Sequence, residues 1–165
     1  MRDELENTYR LHRQGLFSLA QSITGCRPLA EDAVHSAFER LFRSPKPDGD
    51  VVSYVFAAVR NAARDAVRSN RRAAIVRESL FSASVPLESE IDDPADDLLT
   101  AERDQILRSA VDELDYDVRE VVVLKTFAEL TFDAIGEVLN QPAKTVATKY
   151  RRALIKLEEE LRGQL

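Results

Sequence analysis

Apolar residues recur at intervals of three and four along most of the chain, a spacing that predicts helices rather than strands. Between Asp3 and Thr24 the residues Leu5, Tyr9, Leu16, Leu19, Ala20 and Ile23 fall near one face, and Gly25 supplies a stop. Pro28 can open a second helix in its first turn, where a missing N–H costs nothing. The inward stripe of that helix is Ala30, Val34, Ala37, Phe38, Leu41 and Phe42. Two prolines and a glycine make Ser44–Asp50 a loop. A longer third helix then runs from Val51 to Arg72, with a possible extension to Arg77. It turns Tyr54, Val55, Ala58, Val59, Ala62, Ala66 and Val67 inward and its arginines outward.

The period vanishes between Ser79 and Pro94, where Ser, Asp and Glu crowd together as in an interdomain linker. Helical spacing resumes near Ala95, with Leu98, Leu99, Ile106, Ala110 and Leu114. Arg119–Phe127 contains Val121-Val122-Val123, a triplet with β propensity. With no partner strand in sight, it is assigned to a helix. The last two helices, Thr131–Leu139 and Pro142–Leu161, are separated only by Asn140 and Gln141. The expected fold class is all-α. Two small helical domains, residues 1–77 and 95–165, are joined by an acidic flexible linker over 78–94, and the C-terminal one is a helix-turn-helix.

Composition narrows the chemistry. Five Gly and six Pro in 165 residues are too few for a many-turned β protein. Cys26 is the lone cysteine, which excludes an internal disulfide and fits a reducing compartment. With only His12 and His35 beside it, a zinc site of the usual kind is not expected, nor any metal or cofactor. The scarcity of His and Cys also weakens a metalloenzyme reading. Met1-Arg2-Asp3-Glu4 lacks a signal-peptide layout, and no stretch approaches the roughly 20 apolar residues of a membrane helix. The expected location is the cytoplasm, with no membrane partner.

Charge is more informative than composition. The net charge of −6 argues against nucleic acid, but its distribution reverses that reading. Six arginines face only Asp65 and Glu78 between Val51 and Leu80, and five basic residues meet no acid between Gln141 and Leu157. Eight acids against Arg103 fill the stretch from Phe81 to Asp104. Two basic blocks flanking an acidic one suggest two DNA-facing surfaces and a linker with another task. Three solvated helix faces would look the same by charge alone.

The closing helix pair sharpens the choice. Thr131 is a natural N-cap, Asp133 suits the first turn, and Asn140 tolerates the left-handed turn that ends a helix. Pro142 restarts the chain at once, which forces a sharp angle. In the second helix Val146, Tyr150, Ala153, Leu154, Leu157 and Leu161 repeat at three and four, while Lys144, Thr148, Lys149, Arg151, Arg152 and Lys156 occupy other faces. A short helix, a tight turn and a helix basic on its exposed side is how a recognition helix reaches the major groove. An ordinary helical hairpin with a basic solvated face is the alternative.

Two stretches together resemble the extracytoplasmic-function (ECF) sigma factors of bacterial RNA polymerase. Within Leu16–Arg72, the run Leu29-Ala30-Glu31-Asp32-Ala33-Val34-His35-Ser36-Ala37-Phe38 resembles the family's core-polymerase-binding helix. Ser53-Tyr54-Val55 through Arg60-Asn61, Asp65 and Arg68 resembles the helix that handles the −10 promoter element. Within Leu114–Leu161, Arg119-Glu120-Val121-Val122-Val123-Leu124 precedes the helix-turn-helix that resembles the reader of the −35 element. Some positions depart from the family. His35 stands where Gln is usual, Phe42 and Tyr54 where Trp is usual, Ala147 where a basic residue is usual, and Lys144 where Gly is usual. These leave the fold and polymerase role intact but detach the promoter sequence from the family's.

The resemblance implies a role for each candidate residue. Glu31, Asp32, His35, Phe38 and Glu39 would meet core polymerase, unless the acids are merely a solvated face. Tyr54, Arg60, Asn61, Arg64, Asp65, Arg68, Arg71 and Arg72 would engage and open the −10 region. Tyr54 could stack a flipped base or sit in the core. Asn61 and Asp65 could position bases or bond to neighbouring side chains. In the last helix, Thr148 and Arg152 would touch bases, and Lys144, Lys149, Arg151 and Lys156 would hold phosphates, with Thr145 beside them. The acidic segment would line the polymerase's nucleic-acid channel, unless it is only a solubilising spacer. Implied partners are core RNA polymerase, promoter DNA and an anti-sigma factor or other regulatory protein. A stand-alone helix-turn-helix regulator is the nearest rival, though it would need a dimer helix and another purpose for the first 75 residues.

Overall fold

Helices form where the apolar spacing predicts them in the computed structural model, which describes residues 1–44, 48–80 and 98–164. The helices are α1 (Arg2–Thr24), α2 (Arg27–Arg43), α3 (Val51–Leu80), α4 (Leu98–Asp112), α5 (Tyr116–Thr126), α6 (Phe132–Leu139) and α7 (Ala143–Arg162). No strand occurs among the described residues. The chain divides into two compact units, Met1–Ile91 and Asp92–Leu165. Most of the expected linker, residues 81–94, lies outside the described residues, as do Ala95 and Pro45–Pro47. Glu78, Ser79 and Leu80, at the start of the expected linker, belong to α3.

In the first unit α1, α2 and α3 pack pairwise against one another. Gly25 ends α1 in the left-handed region at φ 67°, where its N–H reaches the Gln21 carbonyl, and Pro28 sits in the first turn of α2. Leu5, Leu16, Leu19, Val55, Phe56 and Val59 are almost wholly buried between the three helices. Two aromatic residues differ from the expected stripes. Phe42 is 47% exposed and Tyr54 39% exposed. At 100° per residue, Phe42 lies about a third of a turn from the middle of the Ala30–Leu41 stripe. Tyr54 lies nearly opposite the face that buries Val55, Phe56, Val59 and Ala63. Phe56, not counted in the predicted stripe, is the largest wholly buried side chain among the described residues.

The start of α3 is fixed by Asp50. Its carboxylate accepts from the Ser53 backbone N–H at 2.9 Å and from the Ser53 hydroxyl at 2.8 Å, while its carbonyl accepts from Tyr54 N–H. The Ser53 N–H draws the Asp50 pKa below its usual value, against the opposing effect of partial burial and with help from the Ser53 hydroxyl. Asp50→Ala should therefore cost the first unit about 1 kcal/mol at neutral pH. Because the folded pKa is depressed, this stabilisation holds above the unfolded pKa of about 4 and fades as pH falls through the folded value. Thermal melts of both proteins should differ at pH 7 and converge in acid. A constant difference down to pH 2 would rule out the charged cap.

In the second unit α4, α5 and α6 gather around α7. Val121, Val122, Val123 and Leu124 are all buried on α5, so tertiary burial overrides their β propensity. Arg119 clasps the preceding turn by donating to the carbonyls of Asp112 and Leu114.

Candidate nucleic-acid interface

The sharp bend between α6 and α7 has a local cause at each step. Thr131 Oγ1 accepts from Ala134 N–H at 3.1 Å and caps α6. Asn140 ends it in the left-handed region at φ 55°. The Gly136 carbonyl accepts from both the Asn140 and Gln141 N–H groups, closing the turn. Gly136 is required by space. A Cβ there would lie 2.6 Å from the Gln141 carbonyl oxygen, closer than any relaxed contact. The chain leaves Pro142 directly into α7.

Buried Val146, Ala153 and Leu157 anchor α7, while Leu154, placed in the predicted stripe, is 44% exposed. Phe132 packs on Tyr150 with ring centroids 5.6 Å apart, and Lys125 Nζ sits 4.6 Å over the Phe132 ring. Lys144, Thr145, Thr148, Arg151 and Arg152 cluster on the exposed side, with Lys156 at its edge. Among the described residues no ion pair engages Lys144, Arg151, Arg152 or Lys156. Thr148 donates its hydroxyl to the Lys144 carbonyl at 2.9 Å, leaving its oxygen to accept and its methyl to make apolar contacts. Ala147 is buried, so the departure from a basic residue there removes nothing from the exposed surface. Lys149 behaves differently from its basic neighbours. Its ammonium lies 3.1 Å from Asp117 and donates to Gln141 Oε1 at 3.0 Å.

A second basic face runs along α3. Tyr54, Asn61, Asp65, Arg68 and Arg72 are all exposed, and their spacings of seven, four, three and four place them on one strip. Arg60 and Arg64 flank it half-buried, and Arg71 is exposed beside it. Asp65 is also 3.7 Å from Arg40 of α2, so part of its charge is matched within the unit. The structure thereby removes the core alternative for Tyr54 and places its ring in line with the arginines.

On α2 the acidic residues are exposed but locally paired. Glu31 meets Arg27 at 3.2 Å and Glu39 meets His35 at 3.4 Å, while Asp32 is exposed near them. Phe38 is buried, edge-on to Tyr9 at 5.1 Å, and forms the floor of a groove of about 860 Å³ between α1 and α2. Phe42 stands at the side of this groove beneath the Arg2 guanidinium, 5.7 Å from the ring centroid. Among the described residues no His, Cys, Asp and Glu cluster is arranged to hold a metal, and no helix is long and apolar enough to cross a membrane.

Residues 8–73 match the family model for sigma-70 region 2, and residues 104–157 match that for sigma-70 region 4. Among solved structures, the chain is similar to the sigma factor RpoE from Bartonella quintana, solved with the anti-sigma factor NepR. The identity is 19%, the TM-score 0.70, and 98% of each chain is covered. It is also similar to CnrH, solved in complex with the cytosolic domain of CnrY. There the identity is 20% and the TM-score 0.67, over 100% of this chain and 92% of that one. Comparison with curated proteins gives no match.

Proposed function

The chain belongs to the sigma-70 family of RNA polymerase sigma factors, with the region 2 and region 4 layout of the ECF type, and from that premise we propose how its parts divide the work of initiation. It directs core polymerase to promoters and helps open the −10 region. The observation that carries this reading is the presence of both regions on one chain in the family's order. A stand-alone regulator has no use for the first of them.

Residues 1–77 act as the polymerase-binding and −10 unit, 78–94 as the acidic connection, and 95–165 as the −35 unit. Glu31, Asp32, His35 and Glu39 meet a basic surface of the polymerase, above the apolar floor that Phe38 provides. On α3, Arg60, Arg64, Arg68, Arg71 and Arg72 grip phosphates, a contact that supplies affinity and makes it salt-sensitive. Exposed Tyr54 offers a ring on which an unpaired base can stack, offsetting the few kcal/mol that unpairing costs. Asn61 and Asp65 lie on the same strip and position what Tyr54 captures. On α7, Arg152 and Thr148 read base edges, while Lys144, Arg151 and Lys156 hold phosphates beside Thr145. The work is binding rather than catalysis, and it takes place in the cytoplasm, where the polymerase is. Both similar structures contain a second protein, described for RpoE as an anti-sigma factor, and this supports control of the present chain by such a partner.

The decisive experiment mixes the purified chain with core polymerase and a random duplex library. Comigration with polymerase and run-off transcripts from a recurring two-element promoter are expected. A dimer that ignores polymerase and selects a palindrome would mean a stand-alone regulator. On the selected promoter, Arg152→Ala and Thr148→Ala should each lose about 1–3 kcal/mol of discrimination within the upstream element. Lys144→Ala and Arg151→Ala should instead weaken all sequences alike and lower the salt slope by about 0.9 each. If Arg152→Ala and Thr148→Ala both keep the wild-type order of preference among upstream-element mutants, α7 is not the reader.

A further inference from the structure

Lys149 lies within the basic run of α7 but faces inward. Its side chain is only 23% exposed, against 58% for Asp117, its partner in the first turn of α5. It points back along its own helix, as helical side chains do, and so spans eight residues to the amide of Gln141. Gln141 is half-buried in the turn itself, and its backbone N–H is bound to the Gly136 carbonyl at 2.9 Å. One ammonium therefore joins three pieces of the unit: α5, the turn that ends α6, and the second turn of α7. The hydrogen bond from Lys149 is the leading cause that lowers the Asp117 pKa.

We propose that Lys149 is a positioning residue, clamping the turn and the recognition helix to α5 through Gln141 and Asp117, rather than a phosphate contact. Two physical reasons favour this role. A phosphate approaching Lys149 would meet the Asp117 carboxylate 3.1 Å from the ammonium, and the two anions repel each other. Reading bases also requires the α6–α7 angle to be held within narrow limits, because a helix that tilts moves every side chain in the groove at once. The inference rests on the reading of α7 as the DNA-reading helix, and the test separates the two.

The holoenzyme's selected promoter serves as the probe, with Lys149→Met, Asp117→Asn, the double variant and Lys149→Arg compared across a salt series. Lys149→Met keeps the packed stem and removes the charge. The two single variants should weaken binding similarly, about three- to tenfold, and the double variant no further than the worse single. The salt slope should stay at the wild-type value, and Lys149→Arg, which can reach both partners, should recover most of the affinity. If Lys149→Met lowers the slope by about 0.9 and Asp117→Asn binds as well as wild type or better, Lys149 is a phosphate contact and the clamp is wrong. Amide exchange of the Asn140–Gln141 turn gives a second readout that needs no DNA. It should speed up in both Lys149→Met and Asp117→Asn while far-UV helicity is unchanged. Unaltered exchange in both would overturn the clamp. Failure of the wild type to select any duplex would count against the DNA reading alone, with the exchange measurement still deciding the clamp.

Discussion

Phe56→Ala should unfold the first helical unit and abolish binding to core polymerase while the second unit keeps its own melting transition. Phe56 is 0% exposed, and its ring meets His12 edge-on at 5.7 Å between centroids. Truncating such a side chain costs about 3–5 kcal/mol, through lost transfer energy and the cavity left behind. A single core in a domain this small rarely supplies more than about 3–5 kcal/mol in total, so the loss is decisive. Phe56→Leu keeps most of the volume and should cost less than about 1.5 kcal/mol, leaving polymerase binding measurable. Calorimetry of the full chain with polymerase pull-down checks both. A Phe56→Ala protein that melts like wild type would show that α3 is not held by this contact.

Gly136→Ala should do the converse, destroying recognition of the upstream element while polymerase binding survives. The interest lies in opposing terms. Helix propensity alone favours Ala over Gly by about 1 kcal/mol in a helix interior. Against it stands a methyl 2.6 Å from one backbone atom, the Gln141 carbonyl oxygen, and 3.5 Å from another, the Ala143 nitrogen. Backbone cannot swing away as a side-chain tip can, so the turn must open and carry α7 with it. Overpacking of this kind costs about 1–3 kcal/mol and here should outweigh propensity. The added displacement of the reading face should remove sequence preference, because base contacts tolerate little misplacement. Gly163→Ala is the matched control. Its φ is −75° and the nearest neighbour of an added Cβ is 3.6 Å away, so that change should be neutral or mildly stabilising. Upstream-element footprints and melts of the three proteins decide the matter. A Gly136→Ala protein that is more stable and still reads the element would mean that the turn yields more easily than its backbone contacts imply.

Local chemistry determined a large part of this molecule. Thr131, Asn140 and Pro142 dictate a capped helix, a left-handed stop and an immediate restart, since each acts through its own backbone and nearest neighbours. Gly25 and Pro28 do the same between α1 and α2. The charge blocks needed no folding to be seen, and the order of the two regions was carried by residues such as Glu31, Asn61 and Arg119. What tertiary structure decided were matters of facing and pairing. Tyr54 and Phe56 are both aromatic and two residues apart on α3, and only the packing of α1 and α2 determines which of them is buried. Phe42 continues the α2 stripe by its type but sits past the stripe's edge, beside a groove that requires α1 to exist. Lys149 is one of five basic residues in a run. Its pairing with Asp117, thirty-two positions earlier, arises only when α5 is laid against α7. The need for Gly136 arises only when Gln141 folds back over it. Periodicity and capping act within a few residues, whereas burial and ion pairing depend on contacts between segments distant in sequence.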